Sequence, residues 1–493
     1  MTDGYKTGHH LMYPKGTTLV YSNFTPRSVS RMPNQAKEIV VFGIQYTIIY
    51  INDLYNKEFF SKPKEEVCGE AKRILSSYLG VNYNISHFEA LHDLGYLPIE
   101  VKALPEGSIV GVRIPIMTIH NTLPEFFWLT NFLETLISCL LWKPLHSAAI
   151  AFGFKKILLS YAKKTNPDAL AFVDFQCHDF AYRGMQSPEA AISSDLGFLT
   201  SFKGTDTVPA LLAAEYYYDE QNAGFSVPAS EHSVLTAYGK EDEISCFERV
   251  MSIFPTGILS MVSDSFDLWK VCTEYLPKLK EQILARDGKL VIRPDSGDPV
   301  EIICGILTIQ VDDKYLTQDG PLAFVSKNEA KGVIELLWDV FGGTTTEQGY
   351  KVLDSHIGCI YGDGITLDRA EEICKRLEAK GFASTNIVLG VGSFQLGMAS
   401  RDSQGSAIKS TYVEVEGKGR EIFKDPITDD GTKKSAKGLL AVYRHAAGND
   451  VYLADQVSWK EANNCELKTV FLNGKLTKKF TLAEVRENLS KYL

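Results

Sequence analysis

The sequence predicts an α/β protein with two parts: an irregular (β/α) barrel of TIM type over 166–399, and a discontinuous mixed α+β domain built from 1–165 and 400–493. Three observations carry this. From about residue 170 to 400, short apolar runs recur, each followed by a small polar cluster; buried parallel strands read this way, and barrel chemistry gathers where such strands end. Amphipathic helical stretches such as Asp368–Lys380 lie between most of the runs. Both ends of the chain lose this rhythm.

In the N-terminal segment, strand-like runs at Thr18–Phe24 and Val110–Met117 alternate with helices expected around 36–57, 63–79 and 124–141. Pro124 suits a first helical turn, where its missing N–H costs nothing. Seven strand-to-polar junctions follow. Ala169–Phe175 leads to His178-Asp179, Leu199–Phe202 to Lys203–Asp206, and Gly224–Val227 to Ala229–His232. Gly257–Val262 leads to Ser263–Ser265, and Lys289–Ile292 to Arg293–Gly297. Ile357–Tyr361 leads to Gly362–Gly364, and Ile387–Leu389 to Gly390–Ser393. The long interval between Arg293 and Gly362 holds Ile306–Tyr350, with room for one more unit or an insertion. Beyond 400, strands are expected at Ala407–Glu416, Gly438–Tyr443 and Thr469–Phe471, in a Lys-rich, glycine-punctuated segment.

A chain of 493 residues, 45% hydrophobic, can bury a large core. Its net charge of -10 disfavours general nucleic-acid binding. The nine cysteines include no C-x-x-C pair and read as buried free thiols of a reducing compartment. The N-terminus has no hydrophobic signal core, and the apolar run Phe132–Trp142 is interrupted by Glu134 and too short to span a bilayer. A cytoplasmic protein is expected.

Several junctions suit phosphate. Gly362-Asp363-Gly364 and Gly390-Val391-Gly392-Ser393 precede helices, and glycine lets backbone N–H groups approach an anion. In Arg293-Pro294-Asp295-Ser296-Gly297, arginine can fork onto phosphate while aspartate accepts from sugar hydroxyls or meets hydrated Mg²⁺. His232, after a strand-like run, can act as acid, base or nucleophile toward phosphorus. No histidine spacing suggests a fixed zinc site. Lys409, Lys418, Arg420, Lys424, Lys433, Lys434 and Lys437 form a basic stretch, either a solvated face or a polyphosphate collar.

The ordered segments Asp3–Lys6, His178–Gly184, Ser201–Thr207, Ser226–Ser233, Val262–Ser265, Ile292–Gly297, Gly362–Gly364 and Phe423–Pro426 together resemble the nicotinamide phosphoribosyltransferases of the type II phosphoribosyltransferase family. The resemblance spans nearly the whole chain. It implies transfer of phosphoribosyl from 5-phosphoribosyl 1-diphosphate to nicotinamide, giving nicotinamide mononucleotide and diphosphate. Mg²⁺ would enter on the diphosphate rather than at a fixed site. A homodimer with interfacial active sites is implied as well. The pyridine ring would stack between Phe180 and Tyr5 of the other subunit, with Arg293 beside the ring and Asp3 also among the nicotinamide-binding residues. Asp206 would accept from the carboxamide N–H. A carboxylate there attracts an amide donor and repels the carboxylate of nicotinic acid.

By the same resemblance, Gly362, Asp363, Gly392, Ser393 and Arg401 would hold the 5′-phosphate, and Asp295 and Asp363 the ribose hydroxyls, with Asp264 among the ribose and phosphate contacts. Arg183 and His232 would meet the diphosphate, joined by Arg27, Lys409 and Lys424 of the partner chain and by Lys433 or Lys434. His232 would be a phosphorylated histidine coupling ATP hydrolysis to synthesis. His232, Asp295 and Arg293 are thus the expected catalytic set, while His178 and Asp179 are expected to support their loop. Ala181 stands where the family commonly has glycine, and the segment Leu307–Phe324 reads as a surface insertion.

Nicotinate phosphoribosyltransferase is the near alternative, and Asp206 argues against it. A nucleotide-dependent oxidoreductase would use Gly390-Val391-Gly392, but that loop lacks the third glycine at the required spacing. A scaffold without activity would have no need of Arg293, Asp295, Asp206 and His232 together.

Overall fold

Six short parallel strands form the sheet on which most candidate residues sit. The computed structural model describes residues 2–312, 314–318, 321–428, 434–446 and 448–493. They cluster into two units: 2–149, 212–221 and 399–492 in one, 150–211 and 222–398 in the other.

In the first unit, a seven-stranded antiparallel sheet runs in the order Lys418–Glu421, Ala407–Val415, Thr17–Thr25, Met117–Asn121, Ile99–Ala103, Lys468–Leu472, Lys475–Leu476. Thr17–Thr25 is long and rich in β-branched and aromatic residues, and pairs Asn23 with Lys409 and Phe24 with Ile408. The strand expected over Val110–Met117 is instead two, Ile109–Val110 and Met117–Asn121. Arg113 lies between them at φ 67, a left-handed conformation that interrupts a strand.

Helix Ile44–Tyr55 starts from Gly43 at φ 91, where a Cβ would come within 2.5 Å of Pro144. Its first turn is capped by buried Glu106, which accepts from the Gln45 N–H at 2.8 Å and from the Tyr218 hydroxyl at 2.9 Å. Burial pushes the Glu106 carboxyl up to about 7, against the opposing pull of these bonds. The apolar run at Phe132–Trp142 is longer than expected: it continues as helix Glu134–Thr165, with Pro144 inside it. By length and composition that helix could cross a membrane, yet 78% of its most apolar stretch is buried within the protein, as in a core helix.

In the second unit the parallel order is Gly204–Thr205, Cys177–Asp179, Ile387–Val391, Ile357–Tyr361, Leu290–Arg293, Leu259–Val262. Single parallel bridges, Gly204 to Phe225 and Ala229 to Ser260, tie the two edges to the segment 225–229, so the sheet curls. The amphipathic stretch after Gly364 is helix Leu367–Ala379. It buries Leu367, Ala370, Ile373, Cys374 and Leu377 and is capped by the Thr366 side chain.

The chain is mixed α/β as expected, with this curled six-stranded parallel sheet and separate antiparallel sheets where a TIM-type barrel was expected. Ala169–Phe175 is not a strand but part of the 3₁₀ segment Pro167–Phe175, begun by Pro167. Leu199–Phe202 is the turn closing helix Pro188–Phe198, with the Thr200 hydroxyl bonded to the Gly197 carbonyl at 2.7 Å. Gly224–Val227 makes one bridge instead of a ladder, next to Pro228, which has no N–H to donate.

The long interval after Arg293 holds a three-stranded antiparallel sheet, Thr308–Val311, Lys314–Thr317 and Phe324–Val325, then the hairpin Gly343–Thr345 with Lys351–Leu353. All nine cysteines are free; eight are buried, while Cys139 is exposed, contrary to the expectation for it.

Candidate active site

A cavity of about 450 Å³ in the second unit is lined by His178, Phe180, Asp206, Ser226 and Arg293, with Phe172, Phe175 and Phe225 among its apolar walls. The strand register creates it. Pairing of Cys177–Asp179 with Gly204–Thr205 sets His178 beside Gly204 and Asp179 beside Thr205, so Phe180 and Asp206 leave neighbouring strand ends together. The Phe180 N–H bonds the Val391 carbonyl at 3.0 Å, and its ring lies over Gly390, where a Cβ would come within 2.5 Å of Phe180 Cδ2. Only glycine leaves room for the ring there.

Asp206 Oδ1 lies 3.0 Å from His178 Nε2 and accepts from the Ser226 hydroxyl at 2.6 Å. Both bonds land on Oδ1, so Oδ2 keeps its acceptor capacity. Partial burial opposes ionisation of Asp206. The bonds from His178 and Ser226, with the charges of His178 and Arg293, outweigh it and hold the carboxyl below its ordinary value. An aromatic wall, an ionised carboxylate and an arginine around one apolar cavity can hold a flat ring bearing an amide. Arg293 is anchored by Nη2 donating to the Ser230 carbonyl at 2.7 Å.

A second cluster stands at the ends of the strands bearing Val262, Arg293 and Tyr361. His232 Nδ1 is 3.0 Å from the Ser265 hydroxyl. Its Nε2 faces Asp264 Oδ1 at 3.9 Å and Asp295 Oδ2 at 3.7 Å. Asp264 Oδ2 accepts from the Asp295 N–H at 2.8 Å and the Ser296 hydroxyl at 2.6 Å, while its buried Oδ1 has no hydrogen-bond partner among the described residues. Gly362 closes this cluster: a Cβ there would meet Asp295 Oδ1 at 2.5 Å. Asp363 is exposed beside it, and Gly364 turns the chain at φ 64.

Gly392 leads into the short helix Ser393–Leu396. The Ser393 hydroxyl sits so close to Gly184 that any Cβ there would collide with it, which couples this loop to that of exposed Arg183.

The remaining expected residues belong to the first unit. Tyr5 is 66% exposed, and Asp3 Oδ2 accepts from the Thr135 hydroxyl at 2.6 Å. Arg27 Nε bonds the Gly405 carbonyl at 2.8 Å, and Lys409 Nζ the Ile408 carbonyl at 2.8 Å. Burial first, and then the charges of Arg27, Lys424 and Arg401, lower the Lys409 pKa against the opposing charge of Glu134. Arg401 and Lys424 are exposed, and Lys434 Nζ lies 3.2 Å from Asp425. Lys433 lies outside the described residues.

The structure thus brings together Phe180, Asp206 and Arg293 at one cavity, and His232, Asp264, Asp295 and Gly362 at one cluster. Two contributors were not foreseen in these roles: His178, expected only to support its loop, and Ser226 both bond Asp206. Ser226 lies 20 residues from Asp206, and no spacing rule announces the pairing.

Comparison with known proteins agrees in kind. The nicotinate phosphoribosyltransferase (NAPRTase) family matches residues 175–475, and the nicotinamide phosphoribosyltransferase N-terminal domain matches residues 1–101. A nicotinamide phosphoribosyltransferase of Acinetobacter baylyi is 47% identical, covering 100% of this chain and 96% of its own. Those of Xanthomonas campestris and Mycoplasma pneumoniae are 33% and 35% identical, over 98% and 90% of this chain and 96% of each of theirs. In fold, human nicotinic acid phosphoribosyltransferase aligns with a TM-score of 0.54 at 14% identity, covering 100% of this chain and 93% of its own. The nicotinate-nucleotide pyrophosphorylase of Pyrococcus furiosus aligns with 0.53 at 16% identity, over 100% and 94%. With more than half its length matched by the family and near full-length relatives above 30% identity, this chain belongs to the nicotinate phosphoribosyltransferase family and carries the nicotinamide phosphoribosyltransferase N-terminal domain.

Proposed function

We propose that this enzyme transfers the phosphoribosyl group of 5-phosphoribosyl 1-diphosphate to nicotinamide, yielding nicotinamide mononucleotide and diphosphate, a step of NAD salvage. The observation that carries the choice of nicotinamide is the ionised Asp206 in the apolar cavity, its Oδ1 held by His178 and Ser226 and its Oδ2 able to accept an amide N–H. Phe180 supplies one face of the ring site, and Tyr5 of a second copy would supply the other in a homodimer. Arg293 stands beside the ring.

The sugar chemistry needs placement and charge more than proton transfer. Diphosphate departs, leaving an oxocarbenium-like carbon, and the unprotonated pyridine nitrogen attacks it. Asp295 and Asp363 hold the ribose hydroxyls, and Gly362, Gly392 and Ser393 the 5′-phosphate. Arg183 meets the diphosphate, joined by Arg27, Lys409 and Lys424 of the second copy. Asp264 Oδ1, which has no hydrogen-bond partner among the described residues, and the nearby Asp295 Oδ2 are hard donors that fit a Mg²⁺ carried in on the diphosphate, which would offset the leaving group's charge. His232, its ring set by Ser265, accepts the γ-phosphoryl group of ATP with release of ADP, and the added anion organises the diphosphate subsite. The reaction belongs to the cytoplasm, with ATP as activator.

Mononucleotide production from nicotinamide, with and without ATP, in wild type and His232→Ala tests this reading. Loss of ATP stimulation with basal transfer retained is expected; undiminished stimulation refutes the role of His232.

A further inference from the structure

We propose that Asp179 and Asp195 share one proton beneath the ring site, and that this buried pair positions both walls of it, Phe180 and Asp206; the proposal rests on the site assignment above. Asp179 ends strand Cys177–Asp179 and Asp195 lies in helix Pro188–Phe198; they are 1% and 0% exposed. Neither lines the cavity.

Asp195 Oδ2 accepts from the Thr205 hydroxyl at 2.8 Å, whereas its buried Oδ1 meets no N–H or hydroxyl donor among the described residues. The carboxyl that acts on it most strongly is that of Asp179, which it can hydrogen-bond only if one of the two is protonated. Two ionised carboxylates cannot bond one another, so one of them carries the proton. Asp195 is the holder. Burial, then the charges of Asp179 and Asp206, push its carboxyl well above the ordinary range. Asp179 Oδ1 accepts the Ala181 N–H at 2.6 Å.

The pair reaches both walls through short links. Ala181 directly follows Phe180, so the Asp179–Ala181 bond sets the turn that presents the ring. The Thr205 hydroxyl donates to Asp195 and accepts from the Thr207 N–H at 2.9 Å, and these two threonines flank Asp206. The Asp206 N–H itself donates to the Asp179 carbonyl at 3.1 Å. A neutral carboxyl at 195 therefore closes a network in which every member is satisfied, and an apolar residue there opens it at both ends.

The test compares Asp195→Asn with Asp195→Ala in the full-length protein. Asparagine can donate to Asp179 and accept from Thr205, so the KM for nicotinamide should stay within about twofold of wild type. Alanine breaks one buried hydrogen-bonded link and should raise that KM by about tenfold, with a smaller change in kcat and none in the KM for 5-phosphoribosyl 1-diphosphate. Equal damage from both variants, or an unchanged KM in Asp195→Ala, overturns the proposal. If the alanine variant does not fold, Thr205→Val replaces it, with a rise of about threefold expected and an unchanged KM overturning it. An infrared difference spectrum, wild type minus Asp195→Asn at neutral pH, should show the C=O band of a protonated carboxyl. No such band overturns the shared proton whichever pyridine the enzyme uses, whereas a band with no turnover of nicotinamide overturns only the site assignment.

Discussion

Replacing Asp206 by asparagine changes one charge and almost no volume. The amide oxygen of the new side chain still accepts from Ser226 and His178, but the second position becomes an N–H donor instead of an acceptor. Nicotinamide then loses a charge-assisted hydrogen bond, worth about 1.5–3 kcal/mol when well formed. The Asp206 side chain is 48% exposed, so solvent screening favours the lower end, about tenfold in kcat/KM. For nicotinic acid the sign reverses. Two carboxylates about 4 Å apart repel by about 4 kcal/mol at an effective dielectric of 20, and screening at this half-open site leaves about 1–2 kcal/mol. Removing that repulsion raises kcat/KM for nicotinic acid by about tenfold, so the preference for nicotinamide falls about a hundredfold. Initial rates of mononucleotide formation with each pyridine, at fixed 5-phosphoribosyl 1-diphosphate and Mg²⁺, measure it. A preference that stays within twofold of wild type refutes the reasoning.

Other outcomes follow from close approaches and buried charge. Gly390→Ala would put a Cβ 2.5 Å from Phe180 Cδ2 and 2.9 Å from the Tyr361 carbonyl. Overpacking of about 1–2 kcal/mol should raise the KM for nicotinamide by about tenfold, checked by steady-state kinetics. Gly362→Ala would meet Asp295 Oδ1 at 2.5 Å, so it should lower kcat/KM for 5-phosphoribosyl 1-diphosphate at least tenfold while sparing the pyridine KM. Glu106, with its pKa raised from 4.5 to about 7 by burial, binds its proton more tightly folded than unfolded. Its stabilising effect is full below pH 4.5 and is lost as pH rises through about 7. Glu106→Gln should flatten the fall in Tm across that window, read by thermal unfolding at a series of pH values.

Much of the site was legible because its chemistry is carried by short, ordered motifs. Asp206 follows the two-residue strand Gly204–Thr205 and His232 opens the short helix His232–Thr236, whereas Arg293 and Asp295 stand where the apolar strand Leu290–Arg293 stops. The strands at Leu259–Val262, Leu290–Arg293, Ile357–Tyr361 and Ile387–Val391 were readable for the same reason. Ala169–Phe175 was not. A seven-residue apolar run buries itself equally well as a strand or a tight helix, and Pro167 at its start decides for the helix. His178 and Asp179 therefore lie in the strand itself, not in a loop after it. The pairing of Asp206 with Ser226 and of Asp195 with Thr205 depends on strand register and helix docking, which no local pattern encodes.

The central claim is that a carboxylate in an apolar cavity selects nicotinamide. The most direct measurement is a competition: purified protein, 5-phosphoribosyl 1-diphosphate, Mg²⁺ and ATP, with nicotinamide and nicotinic acid at equal concentration, and the two mononucleotides separated and counted. Nicotinamide mononucleotide in excess of at least tenfold is the predicted result. A majority of nicotinic acid mononucleotide would contradict it.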